Sequence, residues 1–392
     1  MNHYQYLIVG GGMTADAAVR GIREVDPDGS VGMITSEDHP PYDRPPLSKA
    51  LWKGKPVESI WRDTESLGVA IHQGRRAERL EPGQKQVLDH VGELYTYDRL
   101  LIATGGKPRR LPFGRGQIVY FRTIDDYLRL RQMVGQGSRF AVIGGGFIGS
   151  EIAAALATAG SQVTMLFPEA GIGGLQFPRD LSGYLNTYYE ERGVEVLSAR
   201  LADGLEPRGN GVALALQGGD ELVVDAVVAG IGIEPEIGIA EETGMEVRDG
   251  IVVDHTLRTS HPDIYAAGDV AAFRNSSLGR RLRVEHEDNA NTMGQAAGWS
   301  MAGREVAYDH LPFFYSDLFD LGYEAVGDLN PTLKVVSDWE DPYLKGVVYY
   351  LQAGRVRGVL LWNVWGKVDS ARALIADPGP FRPDDLKGRL SS

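Results

Sequence analysis

The sequence predicts an α/β fold made of two parallel-sheet units and a C-terminal α+β domain. Three observations predict it. A glycine-rich turn between an apolar run and a helix-like stretch occurs at residues 7–15 and again at 142–149. After each turn a second apolar run stops at an acidic residue, Glu37 in one unit and Glu169 in the other. From about residue 311 the pattern changes, with more aromatics and with β-patterned runs. Each of the first two units therefore reads as a Rossmann-like βαβ unit, the kind that binds a dinucleotide.

The elements follow in chain order. Residues 4–9 read as a buried parallel strand. Gly10-x-Gly12-x-x-Ala15 follows, then an alanine-rich helix to about Glu24 and a strand over 31–34 that ends at Ser36-Glu37-Asp38. Pro40, Pro41, Pro45 and Pro46 make residues 40–49 a rigid loop, because proline lacks a donor and does not fit a strand or helix interior. A third strand over 100–103 closes at Thr104-Gly105-Gly106.

A second unit opens near Phe121. It has a strand over 140–143, a turn over 144–149, a helix over 151–159 and a strand over 163–167. A later strand over 223–229 runs into Gly230 and Gly232. The chain then returns to the first unit through a short strand ending at Gly268-Asp269 and a helix over 289–302. In the third part, β-runs lie at 332–339, 345–352 and 355–365. Gln352-Ala353-Gly354 turns the last two into a hairpin, and a helix follows over 368–376. The predicted domains are 1–112 with 242–307, then 113–241, then 308–392.

Bulk composition narrows the function. A chain of 392 residues is long enough for two or three domains. A net charge of −13 disfavours general nucleic-acid binding, which needs cations to neutralise phosphates. The clusters Arg109, Arg110, Arg115 and Arg280, Arg281, Arg283 read as solvated surface, with a local docking patch as the alternative. The chain has no cysteine, so it forms no disulfide, iron–sulfur cluster, cysteine-ligated zinc or thiol relay. No apolar run reaches the roughly 18 residues of a membrane span. The first strand begins at about Tyr4, so no signal peptide is expected and a cytoplasmic location is the default expectation.

Two dinucleotide sites in one chain point to electron transfer between two cofactors, a flavin and a nicotinamide. In the first fingerprint Gly10, Gly12 and Ala15 let backbone amides approach a pyrophosphate at a helix N-terminus, and Glu37 reaches the adenosine ribose. In the second, Gly144 and Gly146 do the same. Glu169 accepts from the ribose of NADH and repels the extra phosphate of NADPH, so NADH is the expected coenzyme. Asp269, after Gly268, is placed to meet the ribityl hydroxyls of a flavin. His286 sits between Glu285 and Glu287, which should raise its pKa. A structural or flavin-contacting role suits it better than a metal, since no other histidine has ligand spacing to it. Lys49 and Glu151 are read from the residues alone either as unrelated surface charges or as a pair beside the flavin. There an ammonium would stabilise the reduced ring and the carboxylate would offset its burial.

These residues together carry a family resemblance. Pro-Tyr-Asp-Arg-Pro-Pro-Leu-Ser-Lys at 41–49, Leu-Leu-Ile-Ala-Thr-Gly-Gly at 100–106, Gly-Gly-Gly-Phe-Ile-Gly-Ser-Glu at 144–151 and Ala-Ala-Gly-Asp at 266–269 are the shared motifs. The chain resembles the FAD-dependent pyridine-nucleotide oxidoreductases of the glutathione-reductase-type fold, and among them the ferredoxin and putidaredoxin reductases. Leu-Phe-Pro-Glu at 166–169, Arg-Val-Glu-His at 283–286, the segment 315–327 and Gly-Val-Leu-Leu-Trp-Asn at 358–363 resemble the apoptosis-inducing-factor branch most.

The resemblance implies an FAD site at Gly10, Gly12, Ala15, Glu37, Arg44, Lys49, Thr104, Gly105, Arg122, Asp269 and His286. It implies an NAD(H) site at Gly144, Gly146, Phe147, Ile148, Glu169, Gly232, Glu285, Tyr315, Glu324 and Asn363. It also implies the Lys49–Glu151 pair beside the flavin, with Tyr315 stacking on the nicotinamide. The implied activity is hydride transfer from NADH to FAD, then electrons to a ferredoxin-like protein, a quinone or a small molecule. The alternative is an NADH sensor whose long-lived reduced complex controls dimerisation or partner binding, with a homodimer that depends on NADH. Departures are visible too. Tyr315 stands where the apoptosis-inducing-factor branch has tryptophan, and that branch's long C-terminal insertion shrinks here to about residues 336–343. No nucleic-acid partner, membrane span or metal is expected.

Overall fold

The computed structural model describes residues 2–390, whose contacts divide into two compact units. The first comprises Met1–Arg44, Pro56–Lys107 and Glu234–Pro312; the second comprises Pro45–Lys55, Pro108–Ile233 and Phe313–Ser392.

The first unit is built on a seven-stranded sheet. Its parallel block runs Val69–His72, Val31–Ile34, Asn2–Val9, Leu94–Ile102 and Ile264–Ala266. Val9 pairs with Ile34 on one side and Ile102 on the other, so the strand ends line up where the chain enters the Gly10 turn. Parallel strands buried on both faces need continuous apolar runs. Leu7, Ile8, Leu100, Leu101 and Ile102 supply them, each fully buried. Met13–Val25 and Glu287–Met301 are the packed helices. Their backbones touch at Gly298, where a Cβ would lie 2.1 Å from the Ala18 carbonyl oxygen.

The second unit holds a five-stranded parallel sheet in the order Val194–Ser198, Gln162–Phe167, Arg139–Ile143, Ala226–Ala229, Ile118–Tyr120. A three-stranded antiparallel sheet (Ala202–Arg208, Gly211–Leu216, Glu221–Val224) is attached to it. A five-stranded antiparallel sheet follows in the order Phe313–Leu318, Leu321–Gly327, Arg355–Trp362, Lys345–Gln352, Lys334–Asp341. The helix Val368–Ala376 packs on it and buries Ala371, Leu374 and Ile375. The hairpin at 352–355 turns through Ala353 and Gly354, both at positive φ, as a type I′ turn requires. No helix among the described residues is long and apolar enough to cross a membrane.

Several details differ from the sequence reading. The run 223–229 is two strands, because Asp225 breaks it. Its carboxylate accepts from the Arg139 backbone N–H at 2.8 Å and the Arg139 guanidinium at 2.9 Å, which swings the chain from the small sheet into the parallel one. The proline loop contains a 3₁₀ turn, Pro45–Ser48, since proline's fixed φ suits the first residues of a helix. Phe313–Leu318 and Leu321–Gly327 form a further antiparallel hairpin that the sequence pattern does not mark as strands. Residues 336–341 belong to a paired strand, and the chain returns from it at Lys345.

Candidate active site

Both glycine turns have the backbone that an anion cradle needs. Gly10 has φ +127°, and a Cβ there would lie 2.1 Å from the Ala103 carbonyl oxygen. Gly144 repeats this at φ +118°, with the Gly230 carbonyl oxygen at 2.3 Å. Only glycine fits such positions. Gly12 and Gly146 then act as N-caps of the helices starting at Met13 and Phe147, with no side-chain cap on either. A Cβ on Gly146 would meet nothing within 4 Å, and one on Gly12 only the Arg44 guanidinium at 4.0 Å. Uncapped N–H groups beside open space fit a dinucleotide's pyrophosphate. Ala15 is fully buried behind the first turn.

Most of the remaining residues assigned to FAD lie in the first unit. Glu37 follows its strand, and its carboxylate is aimed by Tyr42, which donates at 2.6 Å, and by a short contact from Arg44. Thr104 donates to the Glu236 carbonyl at 2.7 Å, and Gly105 takes φ +68°. Asp269 is buried in the turn after Gly268. Arg283 donates to the Asp269 carbonyl at 3.2 Å and to Glu285 at 2.6 Å. Lys49 and Arg122 belong to the second unit, the latter's backbone N–H donating to Asp126 at 3.0 Å.

His286 corrects the expectation from its neighbours. Its pKa is pushed down to about 4, not up. Burial dominates, and the carboxylates of Asp269 and Asp288 oppose it without winning. The adjacent Glu285 and Glu287 are not what sets its titration.

The residues assigned to NAD(H) lie in the second unit, except Glu285 in the first. The Phe147 ring lies 4.9 Å from that of Phe314, and Ile148 is 38% exposed. Glu169 follows the end of Gln162–Phe167, where its backbone carbonyl accepts from Ala199 at 2.9 Å. A cavity of about 420 Å³ adjoins it, lined by Pro168, Ala199, Arg200, Leu201, Gln217 and Gly218. Gly232 takes φ +88° and accepts from the Arg109 backbone at 3.0 Å. Tyr315 and Glu324 pair across the hairpin. Glu324 Oε2 is buried without a hydrogen-bond partner, and burial raises the carboxyl's pKa. Asn363, at φ +50°, spends its amide on Gly322 and Leu344.

Lys49 and Glu151 are a pair. Nζ donates to Oε1 at 2.6 Å, with side chains 12% and 3% exposed. Nζ also lies 5.2 Å from the centroid of the Tyr315 ring. An ammonium carries three donors, so the bond to Glu151 leaves capacity for the acceptor atoms of a flavin ring. The sequence reading missed Ser48 and Ser316. Ser48 donates to Glu151 Oε2 and Ser316 to Oε1, both at 2.5 Å. Neither serine lies in a chemical motif by itself, although Ser48 precedes Lys49 and Ser316 follows Tyr315.

Comparison with known proteins agrees with this geometry. The profile of the pyridine nucleotide-disulphide oxidoreductases matches residues 4–295. That of apoptosis-inducing factor, mitochondrion-associated, C-term, matches residues 337–377. The chain is 35% identical to apoptosis-inducing factor 1, mitochondrial, of Dictyostelium discoideum, over 96% of this chain and 79% of that protein. It is equally 35% identical to the 5,5'-dehydrodivanillate O-demethylase ferredoxin reductase subunit of Sphingobium sp., over 96% and 94%. The crystal structure of the covalent putidaredoxin reductase–putidaredoxin complex superposes with a TM-score of 0.91 at 29% identity, covering 100% of this chain and 96% of that one. The two fingerprints and these matches lead to one conclusion: the chain belongs to the pyridine nucleotide-disulphide oxidoreductase family.

Proposed function

We propose that this chain, an FAD-dependent oxidoreductase that takes hydride from NADH, delivers the electrons to a ferredoxin-type iron–sulfur protein. The observation that carries the acceptor is the superposition, over the whole chain, on a putidaredoxin reductase in covalent complex with putidaredoxin. The family's disulfide chemistry does not apply, since the chain has no cysteine. FAD supplies the ring that accepts hydride and passes on electrons one or two at a time.

The protein's part is binding, orientation and charge. Gly10, Gly12, Ala15, Glu37, Arg44, Thr104, Gly105, Arg122, Asp269 and His286 hold FAD. Gly144, Gly146, Phe147, Ile148, Glu169, Gly232, Glu285, Glu324 and Asn363 hold NADH, and Tyr315 stacks on the nicotinamide. Lys49, with its charge neutralised by Glu151, places an ammonium where negative charge develops. A cytoplasmic setting and the domain division 1–112 with 242–307, 113–241 and 308–392 belong to the same proposal.

Anaerobic mixing with NADH should bleach the flavin, and adding a ferredoxin should start rapid cytochrome c reduction. Bleaching without ferredoxin-dependent turnover, but with turnover on a quinone or a small-molecule radical, would overturn the acceptor. The match of residues 337–377 to apoptosis-inducing factor favours a second reading, an NADH sensor. Its signature is slow reoxidation together with a change from monomer to dimer on adding NADH.

A further inference from the structure

Glu151 collects more donors than a simple ion pair requires. The 3₁₀ turn at the end of the proline loop and the residue after it send Ser48 and Lys49, and the strand Phe313–Leu318 sends Ser316. All three reach one carboxylate on the helix Phe147–Thr158. Oε1 takes Lys49 and Ser316, and Oε2 takes Ser48. The serines are 6% and 1% exposed.

We infer that Ser48 and Ser316 are positioning residues, which engage the Glu151 carboxylate at both oxygens and thereby hold the Lys49 ammonium in one place for hydride transfer. This rests on the reading that Lys49 acts at the flavin.

The physics is a buried charge held by three donors spread over both of its oxygens. A buried carboxylate bonded by one lysine alone remains free to rotate about its last torsion and drags the ammonium with it. Hydroxyl donors on both oxygens oppose that rotation. The other titratable groups that feel Glu151 are Tyr189 and Tyr323. Burial first, and the Glu151 charge second, hold their hydroxyls well above the usual phenol range, so neither adds a competing anion. Lys49 lies over the face of the Tyr315 ring, 5.2 Å from its centroid.

The test compares Ser48→Ala, Ser316→Ala, Ser48→Thr and Lys49→Met as FAD-loaded full chains. The readouts are the flavin midpoint potential and the NADH reduction rate in anaerobic stopped flow. Each alanine removes one charge-assisted hydrogen bond and should slow reduction about tenfold. The same factor moves the potential negative by about 30 mV for a two-electron couple. Ser48→Thr keeps the hydroxyl and should keep the potential. Lys49→Met should lower both readouts further. If Lys49→Met shifts them and both alanine variants do not, the serine role is overturned. If Lys49→Met itself leaves them unchanged, the underlying reading of Lys49 falls instead.

Discussion

The Lys49 ammonium lies 5.2 Å from the centroid of the Tyr315 ring, so the charged group and the proposed stacking aromatic are coupled. A cation over an aromatic face is worth about 0.5–1 kcal/mol when exposed, and tryptophan is the best host. Tyr315→Trp should therefore strengthen both the cation contact and nicotinamide stacking. The long-wavelength charge-transfer band of the NADH-reduced protein should intensify and decay more slowly in air. Tyr315→Leu should abolish the band. A band of unchanged intensity in Tyr315→Leu rules out stacking at this residue.

Removing one partner of a buried ion pair leaves an uncompensated charge. Glu151→Ala should cost roughly 3–5 kcal/mol of stability. Lys49→Met in the same chain should recover most of that, because the stranded ammonium goes too. Urea denaturation of the two single variants and the double variant closes the cycle. Additive losses would mean that the pair has no energetic coupling.

The two kinds of fingerprint glycine predict opposite behaviour. Gly10→Ala drives a methyl into the Ala103 carbonyl at a φ that alanine resists, so the folded yield and FAD content should fall sharply. A Cβ at Gly146 meets only open space, so Gly146→Ala should fold normally. It should raise the NADH KM about tenfold, since the methyl occupies space meant for the pyrophosphate and about 1.4 kcal/mol is a factor of ten. An unaltered KM would move the coenzyme away from this turn.

His286 makes a pH prediction. The unfolded histidine titrates near 6.5 and the folded one near 4. Between those values the unfolded chain holds more protons, so stability rises with pH across that window. The contribution is complete above about 6.5 and is lost as pH falls toward 4. Its size is roughly 3 kcal/mol. His286→Gln should remove this component, and the stability difference from wild type should change between pH 4 and 6.5 and stay flat above. A parallel pair of stability curves would contradict the depressed titration.

Glu169 carries coenzyme choice. Glu169→Ala should weaken NADH and improve NADPH, narrowing the preference by about tenfold as the ribose hydroxyl loses a partner and the phosphate loses a repelling charge. Arg200, in the adjoining cavity, already makes contacts with Gln217 and Asp220, at 3.3 and 3.5 Å. Kinetics with both coenzymes decide it, and an unchanged ratio would place the ribose elsewhere.

Much of this protein was legible in the linear sequence because the governing rules are short-range. A glycine forced to φ above zero, an apolar run of strand length and an acidic strand end are local events. They disclosed the two fingerprints, the strand over 31–34, the hairpin through Ala353 and Gly354, and the last helix within the bounds Val368–Ala376. The lack of cysteine likewise removed thiol chemistry without any coordinates. Other features depended on groups that only folding brings together. Asp225 broke a run that looked continuous because Arg139, far away in the chain, captured it. His286 titrates downward because burial outweighs its acidic surroundings, and burial is not visible in neighbouring letters. Ser48 and Ser316 became partners of Glu151 across more than a hundred residues of intervening chain. Dihedral preference and hydrophobic period are written residue by residue, whereas desolvation and the saturation of a buried charge exist only once distant segments enclose it.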